Sequence, residues 1–184
     1  INMGYMFAGS TADSLDLSEL NTVGVRYMYE MFRDSKALNL DLSNFDTSNV
    51  IQMGAMFYGS YATTIDLSSF DTSNVTDMQS MFKGVKATTL DLSSFDTSKV
   101  IDMQSMFAGS QATTINLNGL DTSNVTNMYE MFKDSKVITL DLSSFDTSNV
   151  TNIDYIVARA QATTGYARTQ EDADKLNNSS GKPE

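Results

Sequence analysis

The sequence contains no cysteine and no histidine among its 184 residues. Without cysteine, disulfide bonds, thiolate metal sites and cysteine nucleophiles are all excluded. The absence of histidine removes the commonest general base and the commonest ligand of transition metals. The chain therefore lacks the parts of a zinc site, a haem site or a Ser-His-Asp triad. We predict no catalytic residue, no metal ligand and no cofactor.

Basic residues are also scarce: 12 lysines and arginines stand against 23 acidic residues, which gives a net charge of −11 at pH 7. Because such a chain repels phosphates, we expect neither nucleic acid nor an anionic membrane surface as a partner. No apolar run approaches the roughly 18 residues that a membrane-spanning helix needs. Hydrophobic residues nevertheless make up 41% of the chain, which is enough for a continuous core.

What the sequence has in abundance is repetition with a period of 25 residues. One column of this repeat is Val50, Val75, Val100, Val125 and Val150, and methionine and phenylalanine columns follow it. A period of this length indicates an array in which each unit buries its apolar face against its neighbours. Ile1 falls in the middle of a unit, so we expect the chain to be a piece of a longer protein.

Each unit contains the pattern of a short strand. Leu90 and Leu92 alternate with Thr89, Asp91 and Ser93, and this period of two is typical of a strand with one buried face. The corresponding apolar pairs in the other units are Leu15/Leu17, Leu40/Leu42, Ile65/Leu67, Ile115/Leu117 and Leu140/Leu142. Strands that recur once per unit predict a parallel sheet along one side of the array.

The segment after the strand predicts a short helix. Val100, Met103 and Phe107 are spaced as on one face of a two-turn helix, with Asp96 placed to cap its start and Gly109 its end. The methionines at these positions are predicted to fill the core. The predicted fold class is therefore α/β: a leucine-rich-repeat-like solenoid with a parallel sheet on one face, short helices on the other, and a C-terminal cap.

The recurring text LDLSSFDTSNVTDMQSMF, nearly intact at 65–82, 90–107 and 140–153, resembles the BspA-like leucine-rich repeat surface proteins. The similarity is to the 25-residue form found in lactobacilli and mycoplasma lipoproteins, and it covers residues 1 to about 157. The resemblance implies an extracellular protein of the bacterial cell surface that adheres to host or matrix components. It also implies that the protein is not an enzyme, since the family has no common catalytic residues.

The sequence predicts three regions. Residues 1–157 form the repeat solenoid, with a truncated N-terminal unit; residues 158–176 form a C-terminal cap; residues 177–184 form a linker-like tail that holds the only proline. In the cap, Gly165 stands where a strand leucine is expected, which predicts that the strand pattern has ended. Thr169 begins a capping-box pattern that predicts a short final helix.

The exposed side of the strands carries a ladder of threonine, aspartate and serine, whose rungs we expect about 4.8 Å apart. Directly opposed like charges are destabilising, so a repeated aspartate is either screened or used. We predict that this face binds a host or extracellular-matrix protein or glycan; the alternative is a solvated face kept charged for solubility. The candidate binding residues are Asp16, Asp41, Asp66, Asp91, Asp141, Thr64, Thr89, Thr114, Thr139, Ser68 and Ser93.

Other functions remain open from the sequence. A structural stalk that displays other domains is the main alternative to an adhesive module. A second aspartate column, Asp46, Asp71, Asp96, Asp121 and Asp146, is predicted to cap helices and turns. Together the two columns could instead supply the oxygens of a calcium site. Paired carboxylates for glycoside hydrolysis are available, but nothing distinguishes one pair from the rest.

A second period of 50 residues lies within the first. Lys36, Lys86 and Lys136 occupy alternate units, and Tyr61 and Gln111 stand at the same position in units between them. Duplication of a two-unit block explains this pattern. Its physical consequence is a stripe of positive charge on every other unit, with members roughly 10 Å apart.

Overall fold

A computed structural model describes residues 1–179 and consists mostly of short strands and turns. The strands are β1 (Asn39–Leu40), β2 (Thr64–Ile65), β3 (Thr89–Asp91), β4 (Thr114–Asn116), β5 (Thr139–Leu142) and β6 (Thr164–Ala167). One helix, α1 (Gln170–Asn178), follows them and is the only helix within residues 1–179.

Each unit pairs in parallel with the next. The strands pair as β1–β2, β3–β4 and β5–β6, with every residue opposite the one 25 positions later, as Leu90 is opposite Ile115. A second row of parallel bridges runs along another side of the units, through Asn2, Tyr27, Gln52, Asp77, Asp102, Asn127 and Asn152. The repeated parallel strand pairs predicted from the alternating leucines are therefore confirmed.

The predicted repeat helices are wrong. In the segment 103–110 the chain instead makes successive tight turns, in which the Met106 amide donates to the Met103 carbonyl at 3.2 Å. Amides between these turn bonds point to the next unit: the Ser105 N–H donates to the Tyr129 carbonyl at 2.8 Å. The backbone thus divides its hydrogen bonds between local turns and the neighbouring unit, whereas a helix would keep them all within the segment.

Positive φ angles keep this segment out of the right-handed helical region. Ser105 has φ of 53° and Gly109 of 64°, and the equivalent residues of the other units share this conformation. The turns still direct Met103, Met106 and Phe107 into the core, where all three are fully buried. The apolar spacing is therefore the same as that of a helix, although the backbone is different.

The core consists of columns of identical side chains. Phe32, Phe57, Phe82, Phe107 and Phe132 stack with nearly parallel rings, whose centroids lie 5.3–5.8 Å apart. The methionines from Met28 to Met131 are fully buried beside them, which confirms the predicted role of methionine in the core. Each unit therefore buries its apolar side chains largely against the copies in its neighbours.

A buried threonine column, which the sequence interpretation did not identify, links the units where no strand pairs them. The hydroxyl of Thr47 donates to the Asp71 carbonyl at 2.9 Å and accepts from the Asp71 amide at 2.8 Å. Thr22, Thr72, Thr97, Thr122 and Thr147 are buried at the same position. Because each hydroxyl can both donate and accept, it satisfies two backbone groups of the next unit.

The last unit ends in an additional strand and a helix. Despite Gly165, β6 pairs with β5 along four residues, so the predicted end of the strand pattern is wrong. Thr169 caps α1, and its hydroxyl accepts from the Asp172 amide, as the capping-box pattern predicts. The helix ends at Asn178, two residues beyond the predicted cap. The predicted tail beyond residue 179 lies outside the described residues.

Candidate functional site

The predicted binding residues all lie exposed on one side of the units, which we call the strand face and define by the threonine, aspartate and serine ladder named above. The alternation that buries Leu90 turns Thr89 and Asp91 outward. Thr89 lies directly opposite Thr114 in the parallel pair. The structure thus brings residues that are 25 positions apart in sequence into one continuous polar row.

The aspartates of the strand face form local turns with their own serines. In the Asp41 turn, the carboxylate oxygen Oδ1 accepts from the Ser43 amide at 3.0 Å and from the Ser43 hydroxyl at 2.6 Å. Asp66 and Asp91 likewise accept from the amides of Ser68 and Ser93. These hydrogen bonds, from the serine hydroxyl and amide, lower the pKa of the aspartates. The chemistry of the turn therefore accounts for much of the repeated Asp-x-Ser pattern.

The aspartate column is interrupted in the fifth complete unit. Asn116 lies opposite Asp91 in the parallel pair, and its amide donates to Asp91 Oδ1 at 2.9 Å. Further along, Asp141 is opposite Tyr166, whose side chain is exposed. The Asn116 amide thus separates Asp91 from Asp141, and the Tyr166 phenol lies on the other side of Asp141. Uncharged side chains at these two places relieve the repulsion between like charges. The face carries acceptors, donors and one aromatic ring.

A depression of about 520 Å³ lies on the strand face around Asn116. The predicted residues Thr114, Thr139 and Asp141 line it. Ile138 also lines it and is 55% exposed. The sequence interpretation missed Ile138, although a signal was present: most other units carry threonine at this position, and an exposed isoleucine breaks that pattern. Polar groups here surround one apolar side chain, as in many ligand sites.

The comparison with known families agrees with the repeat. The model of the family described as "Mycoplasma protein of unknown function, DUF285" matches residues 1–93 and again residues 77–171. The chain belongs to DUF285. No curated protein and no solved structure matches it. Within residues 1–179 of this DUF285 chain, no helix is both long and apolar enough to cross a membrane.

The second aspartate column of this DUF285 chain also caps turns. Asp46 Oδ1 accepts from the Ser48 amide at 3.0 Å and from its hydroxyl at 2.6 Å. The predicted capping by the carboxylate is confirmed, but it serves a turn, since no helix follows. Among residues 1–179 no group of three or more acidic side chains is placed to hold a metal ion. This arrangement therefore provides no set of ligands that would support the calcium alternative.

Two neighbouring aspartates of the second bridge row, missed by the sequence interpretation, lie beside the turn segment. Asp77 Oδ1 accepts from the Gln79 amide at 2.9 Å, and Asp102 Oδ1 accepts from the Gln104 amide at 2.7 Å. Burial raises the pKa of Asp77, the Gln79 amide lowers it, and the charge of Asp102 raises it further. The Asp-Met spacing was visible in the sequence, but only the turn geometry explains it.

Proposed function

We propose that this chain is an adhesive binding module whose strand face contacts a host or extracellular-matrix protein or glycan. The observation that carries the proposal is the exposed polar row itself, which continues across successive units and includes the depression around Asn116. Hydroxyl, carboxylate and amide groups of this kind supply hydrogen bonds to sugar hydroxyls or to peptide groups. Ile138 adds apolar contact within the same depression.

The arrangement suits weak contacts that act together. Equivalent groups recur on each unit at about the spacing of paired strands, roughly 4.8 Å. A partner that spans several units therefore meets the same set of groups repeatedly, and linked contacts gain affinity by effective concentration. The proposed partner is accordingly extended, either a polysaccharide or a protein segment. Binding, with no catalytic step, is the proposed activity.

The proposed setting is the surface of a bacterial cell, outside the membrane. Its support is the resemblance of the LDLSSFDTSNVTDMQSMF text to BspA-like leucine-rich repeat surface proteins. The same resemblance supports a proposed leucine-rich-repeat-like solenoid, built without the repeat helices. The DUF285 match supports a repeat-containing family with mycoplasma members. Nucleic acid and a membrane span in this chain are not part of the proposal.

One sequence feature makes a clean test possible. Asn116 occupies the aspartate position of its unit, and its side chain accepts from the Asn118 amide as the aspartates do from serine. Asparagine is therefore already compatible with this turn. We would change Asp66, Asp91 and Asp141 together to asparagine and measure retention on immobilised matrix glycoproteins and on a glycan array. The proposal predicts a marked loss of retention.

The matched control carries the same three charge changes in the second column, at Asp46, Asp71 and Asp121. Retention should be unaffected by this control if the strand face is the binding surface. Equal loss in both variants would assign the effect to net charge and contradict the proposal. Unchanged retention of the strand-face variant would remove that face from consideration.

A structural stalk is the second candidate, and the Asp–Ser turns favour it. Because these turns explain the aspartates locally, the strand face need not have a ligand to keep its sequence. A stalk should show no retention on any matrix glycoprotein or glycan, with or without the substitutions. The same pull-down therefore separates the two functions.

A further inference from the structure

Half of the 12 basic residues of this acidic chain lie on one edge of the units. They occur in pairs three residues apart, on alternate units: Arg33/Lys36, Lys83/Lys86 and Lys133/Lys136. Their backbone lies at the end of the turn segment and just beyond it. The charge period of 50 residues found in the sequence thus becomes two rows of cations, with members about 10 Å apart along each row.

A groove crosses the units at this edge. It has a volume of about 310 Å³, and Tyr58, Lys83, Lys133 and Arg159 line it. Gly84, Ala108 and Gly109, which have small or no side chains, also line it. Ala108 stands at the position that lysine occupies in the units on either side, so the small side chain leaves open space between two cations. We call this depression the edge groove.

The cations of the edge groove are partly neutralised. Lys133 pairs with Glu130, and Arg159 makes a two-bond contact with Asp134, both bonds at 2.6 Å. Lys83 has no ion pair among residues 1–179; its ammonium lies 5.8 Å from the centre of the Tyr58 ring. The groove therefore has one more basic side chain than it has carboxylates, although the molecule as a whole has a net charge of −11.

The second row of lysines adds charge beside the groove. Lys86 and Lys136 are exposed and make no ion pair within the described part of the chain. The ammonium of Lys36 lies 3.4 Å from the centre of the Tyr61 ring, and that of Lys86 lies 5.8 Å from it. The Tyr61 ring thus lies between two like charges of this row. It also provides apolar surface between these cations.

We infer that the edge groove and the adjoining lysine row bind a linear anionic glycan, with sulfate or carboxylate groups meeting the lysines. Cations two units apart match a polymer whose charges are widely spaced. A nucleic acid presents about one charge per 1.7 Å of duplex axis, and its dense phosphates would meet Glu130 and Asp134 within the same groove. Tyrosine rings beside the lysines offer stacking surface for sugar rings.

This inference is independent of the proposed function, because it uses another surface and chemistry of the opposite sign. The acidic strand face repels an anionic glycan, whereas the edge groove attracts it. The chain would accordingly carry two binding surfaces. Contacts at the edge should weaken as salt is raised, since the lysines concerned are at the surface.

The test uses immobilised hyaluronan, a linear glycan whose carboxylates are spaced by a whole disaccharide, and the whole chain with Lys83 and Lys86 both changed to glutamine. We expect the wild-type chain to bind at low salt and to elute as salt rises. The double variant should bind roughly tenfold more weakly, since two surface charge contacts are lost. Arg26→Gln with Lys99→Gln is the matched control, because both residues are exposed outside the groove.

The control variant should stay within about twofold of the wild type, since surface charges away from the contact change affinity little. The three-asparagine variant of the strand face should bind hyaluronan no more weakly than the wild type. No binding of the wild type, equal loss in the two double variants, or tighter binding of a DNA duplex than of hyaluronan would each overturn the inference. Unchanged thermal midpoints would show that the variants are folded.

Discussion

The central units and the last unit provide the buried threonine hydroxyl with hydrogen bonds from different parts of the chain. In the centre, the Thr47 hydroxyl meets the backbone of Asp71 in the following unit. At the end, no further unit follows within the described residues, and the Asp172 carboxylate accepts from both the amide and the hydroxyl of Thr147. Lys175 donates to the carbonyls of Thr147 and Val150. Two side chains of α1 thus replace the backbone of a unit.

The two regions differ equally in their cores. Every central unit places a phenylalanine in the stacked column, but the last unit has Val157 at that position. Gly165 and Ala167 replace the strand leucines there. The smaller side chains leave a cavity of about 340 Å³ between the last unit and α1, with Leu176 on its wall. The last described unit is therefore closed by hydrogen bonds more than by apolar packing.

The largest expected difference concerns the phenylalanine column. Phe82→Ala should lower the free energy of unfolding by about 3–5 kcal/mol, because it leaves a cavity between two stacked rings. Val157→Ala, in the half-buried last unit, should cost only about 1 kcal/mol. Urea unfolding of both variants measures the difference. Similar losses would mean that the last unit is packed as tightly as the centre.

The second prediction concerns the closing contact at Asp172. Asp172→Asn should lower the free energy of unfolding by about 2–3 kcal/mol, because a nearly buried charged acceptor loses its bonds to Thr147 and Arg168. Burial by itself raises the pKa of Asp172, but hydrogen bonds from Thr169, Thr147 and Arg168 lower it more. The measurement is the free energy of unfolding of both proteins across pH.

The sign of the pH dependence follows from that lowered pKa. The folded pKa of Asp172 lies below 3.8, the ordinary value of an aspartate. Its contribution to stability is therefore complete above 3.8 and is lost as pH falls through the folded pKa. The stability gap between wild type and Asp172→Asn should be largest near neutral pH and should shrink in acid. A gap that is constant across this range would contradict the assignment.

The third prediction concerns the equivalent contact in the centre. Thr47→Val keeps the shape of the side chain but leaves the Asp71 amide and carbonyl without the hydroxyl. We expect a loss of about 1–2 kcal/mol, the cost of unsatisfied buried backbone groups. Thermal or urea unfolding measures it. A loss greater than that of Asp172→Asn would mean that the backbone contact between units is the stronger of the two closures.

The smallest expected effect separates two glycines with the same conformation. Gly59 and Gly109 have φ of 62° and 64°. A Cβ at Gly109 meets nothing within 4 Å, whereas one at Gly59 collides with the Asp34 carboxylate. Both alanine variants should lose about 1 kcal/mol from the positive φ, and Gly59→Ala should lose somewhat more. Adding Asp34→Ala to Gly59→Ala should remove the excess; an unchanged excess would rule out this collision as its cause.

Much of the architecture could be predicted from the sequence, but the turn segment could not. The alternation at Leu90 and Leu92 predicted the strand, and the 25-residue period predicted its parallel pairing with the neighbouring units. The spacing of Met103 and Phe107 correctly predicted that they are buried in the core, but it wrongly predicted a helix. A spacing of three and four residues places side chains inward in a two-turn helix and in a string of tight turns alike. The positive φ of Ser105 leaves no mark in residue type, since serine is common in helices, turns and strands.

The candidate site, like the fold, could be predicted from the sequence only in part. All the predicted strand-face residues are exposed, because alternation alone decides which side chains point outward. The sequence could not show that Asp41 is held by Ser43, since turn and ligand site use the same residue types. It also could not place Lys83, Ala108 and Lys133 around one groove. These residues lie in different units, and only stacking brings them together.

By itself, the sequence determined the repeat, the identity of the apolar buried columns and the outward row of threonine, aspartate and serine. These follow from periodicity, because a side chain's position in a repeated unit decides whether its neighbours are apolar or water. The tertiary structure alone decided how the backbone hydrogen bonds are divided between each unit and its neighbour. It replaced the predicted helices with turns and covered the last unit with α1. Hydrogen bonds between units depend on what the neighbour presents, and no single unit contains that information.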